Sequence, residues 1–493
     1  MSSQDFISPD IIRASFSQVM SAMYRDEVPL YGDLISLVAT VNAQIIEQNQ
    51  QGAGALNQLA RSGSLESLSE ERHGAIRLGT AEELNTMRRL FAVMGMYPVD
   101  YYDLTVAGIP VHSTAFRPVS AQSLEANPFR VFTSLLRLDL IEDEALREQA
   151  EAILARRKIF TDKALELINT HEQRGGLSSE EAELFVKEAL ETFRWHEQAL
   201  VDKDTYEALR TSHALTADIV SFKGPHINHL TPRTLDIDAA QTKMVESGMA
   251  AKAIIEGPPA RKHAILLRQT SFKALEEAVV FQQNQADSDT PDTNNAADDT
   301  SSNAGSHTAR FGEIEQRGMA LTPKGRELYD QLLAEVRKQA PKPESDPEHY
   351  RQTLQTVFAD FPDDLETLRR DELAYFEYRL TSNMPQTSLE LLQTMLQQNA
   401  DFKDALEQGK PSTELDGLIA LDLMSAKPLT YEDFLPVSAA GIFQSNLGDE
   451  AAETFSQASN QEAFEQALGS SVINAFDWYQ QIQSDSLKAL LTI

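Results

Sequence analysis

The sequence predicts an α+β protein in which two βαβββ modules are surrounded by helices at the N-terminus, between the modules and over the C-terminal third. Three observations carry that reading. The order strand, helix, three strands occurs twice; a His-x-x-x-Arg pair heads each copy; and elsewhere apolar residues recur mostly at helical spacing. At about 150 residues per domain the length alone allows two to four units, but the duplicated modules are expected to share one compact unit over residues 1–493.

Residues 1–60 read as N-terminal helices, with helical periodicity from Ile11 to about Gln50 and a break near Pro29. The first module, 73–140, runs through HGAIRL (strand), TAEELNTMRRLFAVMG (helix), then PVDYYDLT, IPVHSTAFRPV and FRVFTSLLRL (strands). Residues 141–215 are expected to be an inserted helical region, with a Gly175-Gly176 turn and a Ser178-x-x-Glu181 capping box opening a helix. The second module, 221–317, repeats the order with HINHLTPR, a helix through DIDAAQTKMVESG, AKAIIEG, HAILLRQTSF continuing into EEAVVF, and ARFGEIEQR. Within it, residues 282–306 contain five Asp and no large apolar residue, so they are expected to form a disordered acidic loop. Thr322 as N-cap with Pro323 behind it opens a mainly helical region, 322–493, that includes a small, apolar, turn-rich loop at 434–446.

With 43 Lys and Arg against 75 Asp and Glu, the net charge of −32 repels a phosphate backbone, so nucleic acid is not an expected partner. The absence of Cys excludes disulfides, iron–sulfur clusters and thiolate chemistry, leaving His and carboxylates as metal ligands. The opening residues lack a basic segment followed by an apolar core, and no uninterrupted apolar run reaches the roughly 18 residues of a membrane span. A cytoplasmic protein without a membrane partner is the expectation; the oligomeric state is not legible. No GxGxxG, GxxxxGK[ST] or HExxH motif occurs, which leaves nucleotide and zinc-protease readings without support.

His73-x-x-x-Arg77 and His229-x-x-x-Arg233 stand 156 residues apart. In a strand, residues four apart share a face, so each His is expected beside its Arg, while His226 and Asn228 face away from His229. Glu313, Glu315 and Arg317 alternate onto one face of the last strand, and parity does not choose between the two carboxylates. Two imidazoles and one carboxylate with open positions suit non-haem Fe(II), though Zn or Mn fits the same ligands. His112 is expected as an outer contact of this site and His307 as a polar residue flanking the acidic loop. His171, His196, His213 and His349 lie in helical or capping contexts and receive no site role.

Several long blocks in order, among them ERHGAIRLGTAEEL, VHSTAFRP, NPFRVFTSLLR, HINHLTPRTLDID, HTARFGEIEQRGMALTPKGR and YEDFLPVSAAGIFQSNLG, make the chain resemble the 2-oxoadipate dioxygenase/decarboxylases over most of its length. The resemblance implies a curved, vicinal-oxygen-chelate-like sheet. It also implies an Fe(II) enzyme that converts 2-oxoadipate and dioxygen to 2-hydroxyglutarate and carbon dioxide in lysine catabolism, with both oxygen atoms incorporated. It assigns the metal to His73, His229 and a Glu of the last strand, favouring Glu315. Substrate contacts fall on the same residues, on Arg77 and on Val437 and Ser438.

A small 2-oxo dicarboxylate needs a local cation in this acidic chain. Residues 221–281 carry eight Lys and Arg against six Asp and Glu, and a guanidinium matches carboxylate geometry. Arg77 is the expected partner of the remote carboxylate, with Arg233, Arg268 and Arg317 as lesser helpers. A dioxygenase acting on another 2-oxo acid and an oxygen-independent metal lyase or isomerase remain as alternatives at this stage.

Overall fold

A computed structural model describes residues 6–50, 71–283, 303–381, 386–435 and 457–492. Two helices open the chain, Pro9–Glu27 and Pro29–Gln50. Ser8 caps the first by accepting from the Asp10 amide, and Pro29, without an amide hydrogen, starts the second where a donor is not needed. By length and composition Pro29–Gln48 is apolar enough to cross a membrane. Its Tyr31, Leu34, Val38 and Val41 are nevertheless buried in the main core, as one stripe of an amphipathic helix.

The first module follows its predicted order: β1 (Glu71–Leu78), the helix Ala81–Val93, β2 (Tyr97–Asp103), β3 (Val111–Arg117) and β4 (Arg130–Leu136). The inserted region supplies the helices Glu144–Arg156, Asp162–Arg174 and Ser179–Leu190. Gly175 ends the second of these at φ +80°, and the Ser178–Glu181 capping box opens the third. The region is not helical throughout, because β5 (Gln198–Asp202) precedes the helices Lys203–Ser212 and Ala214–Ser221.

The second module contains β6 (His229–Pro232), the helix Ile237–Glu246, β7 (Leu267–Ser271), β8 (Glu276–Gln282), β9 (Ala304–Thr308) and β10 (Phe311–Arg317). It departs from the predicted pattern in three places. AKAIIEG makes only the isolated bridges Ala251 to Phe272 and Glu256 to Gln269, and Gly257 at φ +100° with the two prolines after it ends the segment. EEAVVF does not continue β7 but leaves it for a second sheet ordered β5-β8-β9. Of the segment expected as an acidic loop, Gln282 belongs to β8 and residues 304–306 to β9, while 284–302 lie outside the described residues.

The main sheet has the order β2-β3-β4-β1-β6-β10-β7, so the modules meet edge to edge at β1 and β6. Within each module the first strand is parallel to the last, β1 to β4 and β6 to β10, and the β1–β6 seam is antiparallel. The duplication is therefore one of topology as well as sequence, and the seven strands curl into a half-barrel. The C-terminal region is mainly helical, as expected, with Thr322 capping the helix Pro323–Gln339. It also carries an antiparallel pair, β11 (Phe376–Leu380) and β12 (Met424–Pro428).

Close approach explains two glycines, one at the seam and one on β10. A Cβ on Gly74 of β1 would stand 2.7 Å from Ile227 Cδ1 and 3.0 Å from the His229 carbonyl oxygen. A Cβ on Gly312 of β10 would meet Phe272 at 2.5 Å and Leu34 at 2.8 Å. Gly74→Ala and Gly312→Ala are each expected to cost about 1–3 kcal/mol through overpacking, read as a lower denaturation midpoint; unchanged midpoints would show that these sites accommodate the added methyl.

Candidate metal centre

Cross-strand partners share a face, so the register decides which side chains meet. His73 pairs with Arg130 on one side and Thr231 on the other, and Ala75 pairs with His229. On β10, Phe311 pairs with His229, and Glu315 bridges to Arg233. With a period of two, His73 and Arg77 (β1), His229 and Thr231 (β6), Arg233 just beyond β6, and Glu313, Glu315 and Arg317 (β10) all face the concave side.

The site gathers there. His73 Nε2 lies 2.9 Å from Glu313 Oε1, and His229 Nε2 lies 4.0 Å from the same oxygen. One donor atom from each of His73, His229 and Glu313 falls within 4.8 Å of the others, the one such group among the described residues. All three are buried, at 0%, 1% and 0% exposure. Among the described residues, buried Glu313 Oε2 and His229 Nδ1 have no hydrogen-bond partner, and an unpaired buried polar atom is costly unless something binds it. Thr231 Oγ1 lies 3.1 Å from His73 Nε2 and 3.3 Å from Glu313 Oε1. Burial, with His73 and Arg77 adding like charge, pushes His229 well below its ordinary pKa, so it is neutral at pH 7, the form that binds a metal. The residues present fit a divalent cation.

Glu315, the carboxylate the resemblance favours, sits differently. Arg317 grips it with two prongs, Nε to Oε1 at 2.6 Å and Nη2 to Oε2 at 2.9 Å. Its Oε2 also faces His73 Nδ1 at 2.9 Å. Burial alone would raise the Glu315 carboxyl, but Arg317 and His73 hold it well below the usual carboxylate range. A charged carboxylate behind the far nitrogen of an imidazole orients the ring and fixes which nitrogen carries the proton. The geometry therefore puts Glu313 beside both imidazoles and Glu315 behind His73.

Around Glu315 the concave face is strongly cationic. Arg72, Arg117, Arg130, Arg233 and Arg317 are all under one-tenth exposed. The segment 431–435 threads among them: Asp433 takes Arg117 Nε at 2.7 Å and the Tyr479 hydroxyl at 2.7 Å, Glu432 pairs with Arg130, and Arg317 donates to the Tyr431 and Asp433 carbonyls at 2.9 Å each. Phe434 then packs edge-on to His73, with ring centroids 4.8 Å apart. Val437 and Ser438, with the remainder of the 434–446 loop beyond Leu435, lie outside the described residues.

Arg77 lies at the other end of the β1 face, its Nη1 2.7 Å from Asp218 Oδ2. Three other expectations need correction. His112 pairs with Leu135, so it faces away from the Ser113–Ser134 hydroxyl pair and His73; it packs against Tyr101 and Phe464, and burial with Arg137 pushes it down to about 4. Arg268 pairs with Gln316 and so lies on the face opposite Glu315, bound to Asp238 at 2.6 and 3.0 Å. His307 does flank the acidic segment, but it is 5% exposed and bound to Asp218 and Tyr206 instead of lying at the surface. Sequence reasoning missed Asp218, Glu432 and Asp433, whose only signal was a carboxylate amid apolar neighbours.

Known proteins resemble the chain over nearly its full length. The family profile described as 2-oxoadipate dioxygenase/decarboxylase matches residues 16–446. A protein of that name from Pseudomonas putida is 54% identical over 99% of this chain and 98% of its own length; one from Escherichia coli is 51% identical over 97% and 98%. A crystal structure of hydroxyglutarate synthase from Pseudomonas putida, in complex with 2-oxoadipate, superposes with a TM-score of 0.83 at 53% identity, covering 99% of both chains.

His73→Ala and Glu313→Ala are expected to purify without a stoichiometric divalent metal. Glu315→Gln is expected to retain the metal with affinity weakened about 10- to 100-fold, the usual effect of removing an outer contact. Metal analysis after dialysis checks both; full occupancy in Glu313→Ala with loss in Glu315→Gln would exchange the two roles.

Proposed function

The chain belongs to the 2-oxoadipate dioxygenase/decarboxylase family, and from that membership we propose that it converts 2-oxoadipate and dioxygen to 2-hydroxyglutarate and carbon dioxide, using Fe(II) held by His73, His229 and Glu313, as a step of lysine catabolism. The observation that carries this is the convergence of those three buried side chains from both modules, in a chain whose relatives bear that name over nearly their full length. The reaction balances without an external reductant: carbon dioxide leaves from C1, and both atoms of dioxygen enter the five-carbon product.

His73, His229 and Glu313 would hold an Fe(II), which would supply the redox chemistry that dioxygen and a 2-oxo acid require. The chain's own residues do the rest. His229 is held neutral by burial, so it offers its lone pair without first losing a proton. Glu315, fixed by Arg317, stands 2.9 Å from His73 Nδ1 and so leaves Nε2 as the coordinating nitrogen. Phe434, with Phe132 5.3 Å from it, covers His73 and excludes water from that side. Arg77, on the His73 face, takes the remote carboxylate.

The direct test is anaerobic loading with Fe(II), then addition of 2-oxoadipate and isotopically labelled dioxygen. One carbon dioxide per dioxygen and two labelled oxygens in 2-hydroxyglutarate are expected. Consumption of 2-oxoadipate without oxygen uptake would favour an oxygen-independent lyase instead. Arg77→Ala is expected to lower kcat/KM for 2-oxoadipate by the equivalent of about 3–5 kcal/mol, the scale of an unpaired buried charge; an unchanged value would place the remote carboxylate elsewhere.

A further inference from the structure

Arg72 reaches the concave face because β1 is irregular where it starts. Glu71 pairs with Pro232 and His73 with Thr231, so two steps along β1 match one along β6 and Arg72 is the extra residue of a β-bulge. In a flat strand its side chain would point away from the face shared by His73 and Glu315. The bulge turns it toward Glu315, while Glu71 turns to Ser21 and Tyr31 of the N-terminal helices.

There Arg72 meets carboxylates that other arginines already hold. Its Nε stands 3.7 Å from Glu315 Oε1, the oxygen that takes Arg317 Nε at 2.6 Å. Its Nη2 stands 3.7 Å from Glu432 Oε2, the oxygen that takes Arg130 Nη2. Both separations exceed a hydrogen bond. Arg72 is 4% exposed, and its Nε has no hydrogen-bond partner among the described residues. Burial pulls the guanidinium down to about 10, and what Glu432 and Glu315 restore is offset by Arg233 and Arg317. Burial works against Arg117 and Arg317 too, yet Asp433 and Glu315, each bound through two nitrogens, hold them above the ordinary arginine value.

Arg72 lines a cavity of about 320 Å³, a size that suits a small molecule. Arg233 shares the wall, and Leu124, Pro128, Trp478 and Ile482 supply apolar surface. The other charges of the lining offset one another: exposed Lys427 against exposed Glu125, and Arg379 against Glu377, which it binds at 2.6 Å. Neither the metal triad nor Arg77 is part of the wall. Glu315 stands between the two places, with Oε1 toward Arg72 and Oε2 toward His73. A buried guanidinium whose Nε lacks an acceptor, set among apolar walls, suits a carboxylate on a short carbon chain. The cation takes the charged end and the walls take the methylenes.

We propose that this cavity binds a small organic carboxylate on Arg72, at a site distinct from the metal centre and one carboxylate removed from His73. The occupant completes the ion pairing that Glu315 and Glu432 leave incomplete. The site does not rest on the function proposed above, and its test needs no turnover.

Calorimetric titration of the full chain with hexanoate, glutarate and inorganic phosphate tests this. Wild type, Arg72→Gln, Ile482→Trp and Arg77→Gln are compared, with the melting temperature recorded for each. Wild type is expected to bind one hexanoate or one glutarate saturably. Arg72→Gln is expected to weaken that binding about 10- to 100-fold, the scale of a hydrogen bond to a charged group. Ile482→Trp fills the cavity, keeps every charge and remains informative if Arg72→Gln fails to fold; it is expected to abolish the binding. Tighter hexanoate would identify an aliphatic monoacid as the occupant and tighter glutarate a diacid, and either supports the site. Phosphate bound in place of both acids, no saturable binding of either acid, or binding that survives Ile482→Trp would overturn the proposal. Weakening by Arg77→Gln in place of Arg72→Gln would move the acid to the metal centre and overturn it as well, while leaving the proposed function standing.

Discussion

The site depends on the antiparallel seam between β1 and β6. It joins the two modules, sets Ala75 opposite His229 and His73 opposite Thr231, and draws the strands together where only Gly74 fits. Because side chains alternate with a period of two, a slip of one residue would send either imidazole to the convex, helix-covered face. The seam is also where a duplicated sequence becomes a single asymmetric site. Each module gives one His, but only the second supplies carboxylates on its closing strand; the matching strand β4 presents Arg130 and Ser134 instead.

A second constraint is charge. Five buried arginines crowd one end of the concave face, and each buried charge left unpaired would cost several kcal/mol. Glu315 answers part of that charge from within the sheet, and Glu432 and Asp433 answer more from the distant C-terminal region. Arg317 links these layers, since it holds Glu315 with one edge and the 431–433 backbone with the other. A line of polar contacts thus runs from the C-terminal region through Arg317 and Glu315 to the His73 ring. The C-terminal region is therefore part of the site's support.

The modules and their histidines were legible because a period-two strand pattern and a repeated spacing are local signals. His73, Arg77, His229 and the Glu313–Glu315 face follow from parity alone. The choice between the two glutamates was not legible: both face the site, and only the neighbour that reaches each one separates them, Arg317 for Glu315 and the two imidazoles for Glu313. His112 and Arg268 were misplaced because the face of a strand depends on its register with strands distant in sequence. EEAVVF reads as a continuation of β7 by propensity, but it pairs with β5, which lies in a region whose helical periodicity hid a five-residue strand. Asp218 and His307 are 89 residues apart, and no local pattern announces that they meet.

The account stands on a single cation shared by the two modules. Anomalous diffraction at the iron edge from crystals of the Fe(II)-loaded protein tests this most directly. The account predicts one strong peak within bonding distance of His73 Nε2, His229 Nε2 and a Glu313 oxygen. A peak coordinated by Glu315 in place of Glu313, or one among Asp218, His226 and His307, would contradict it.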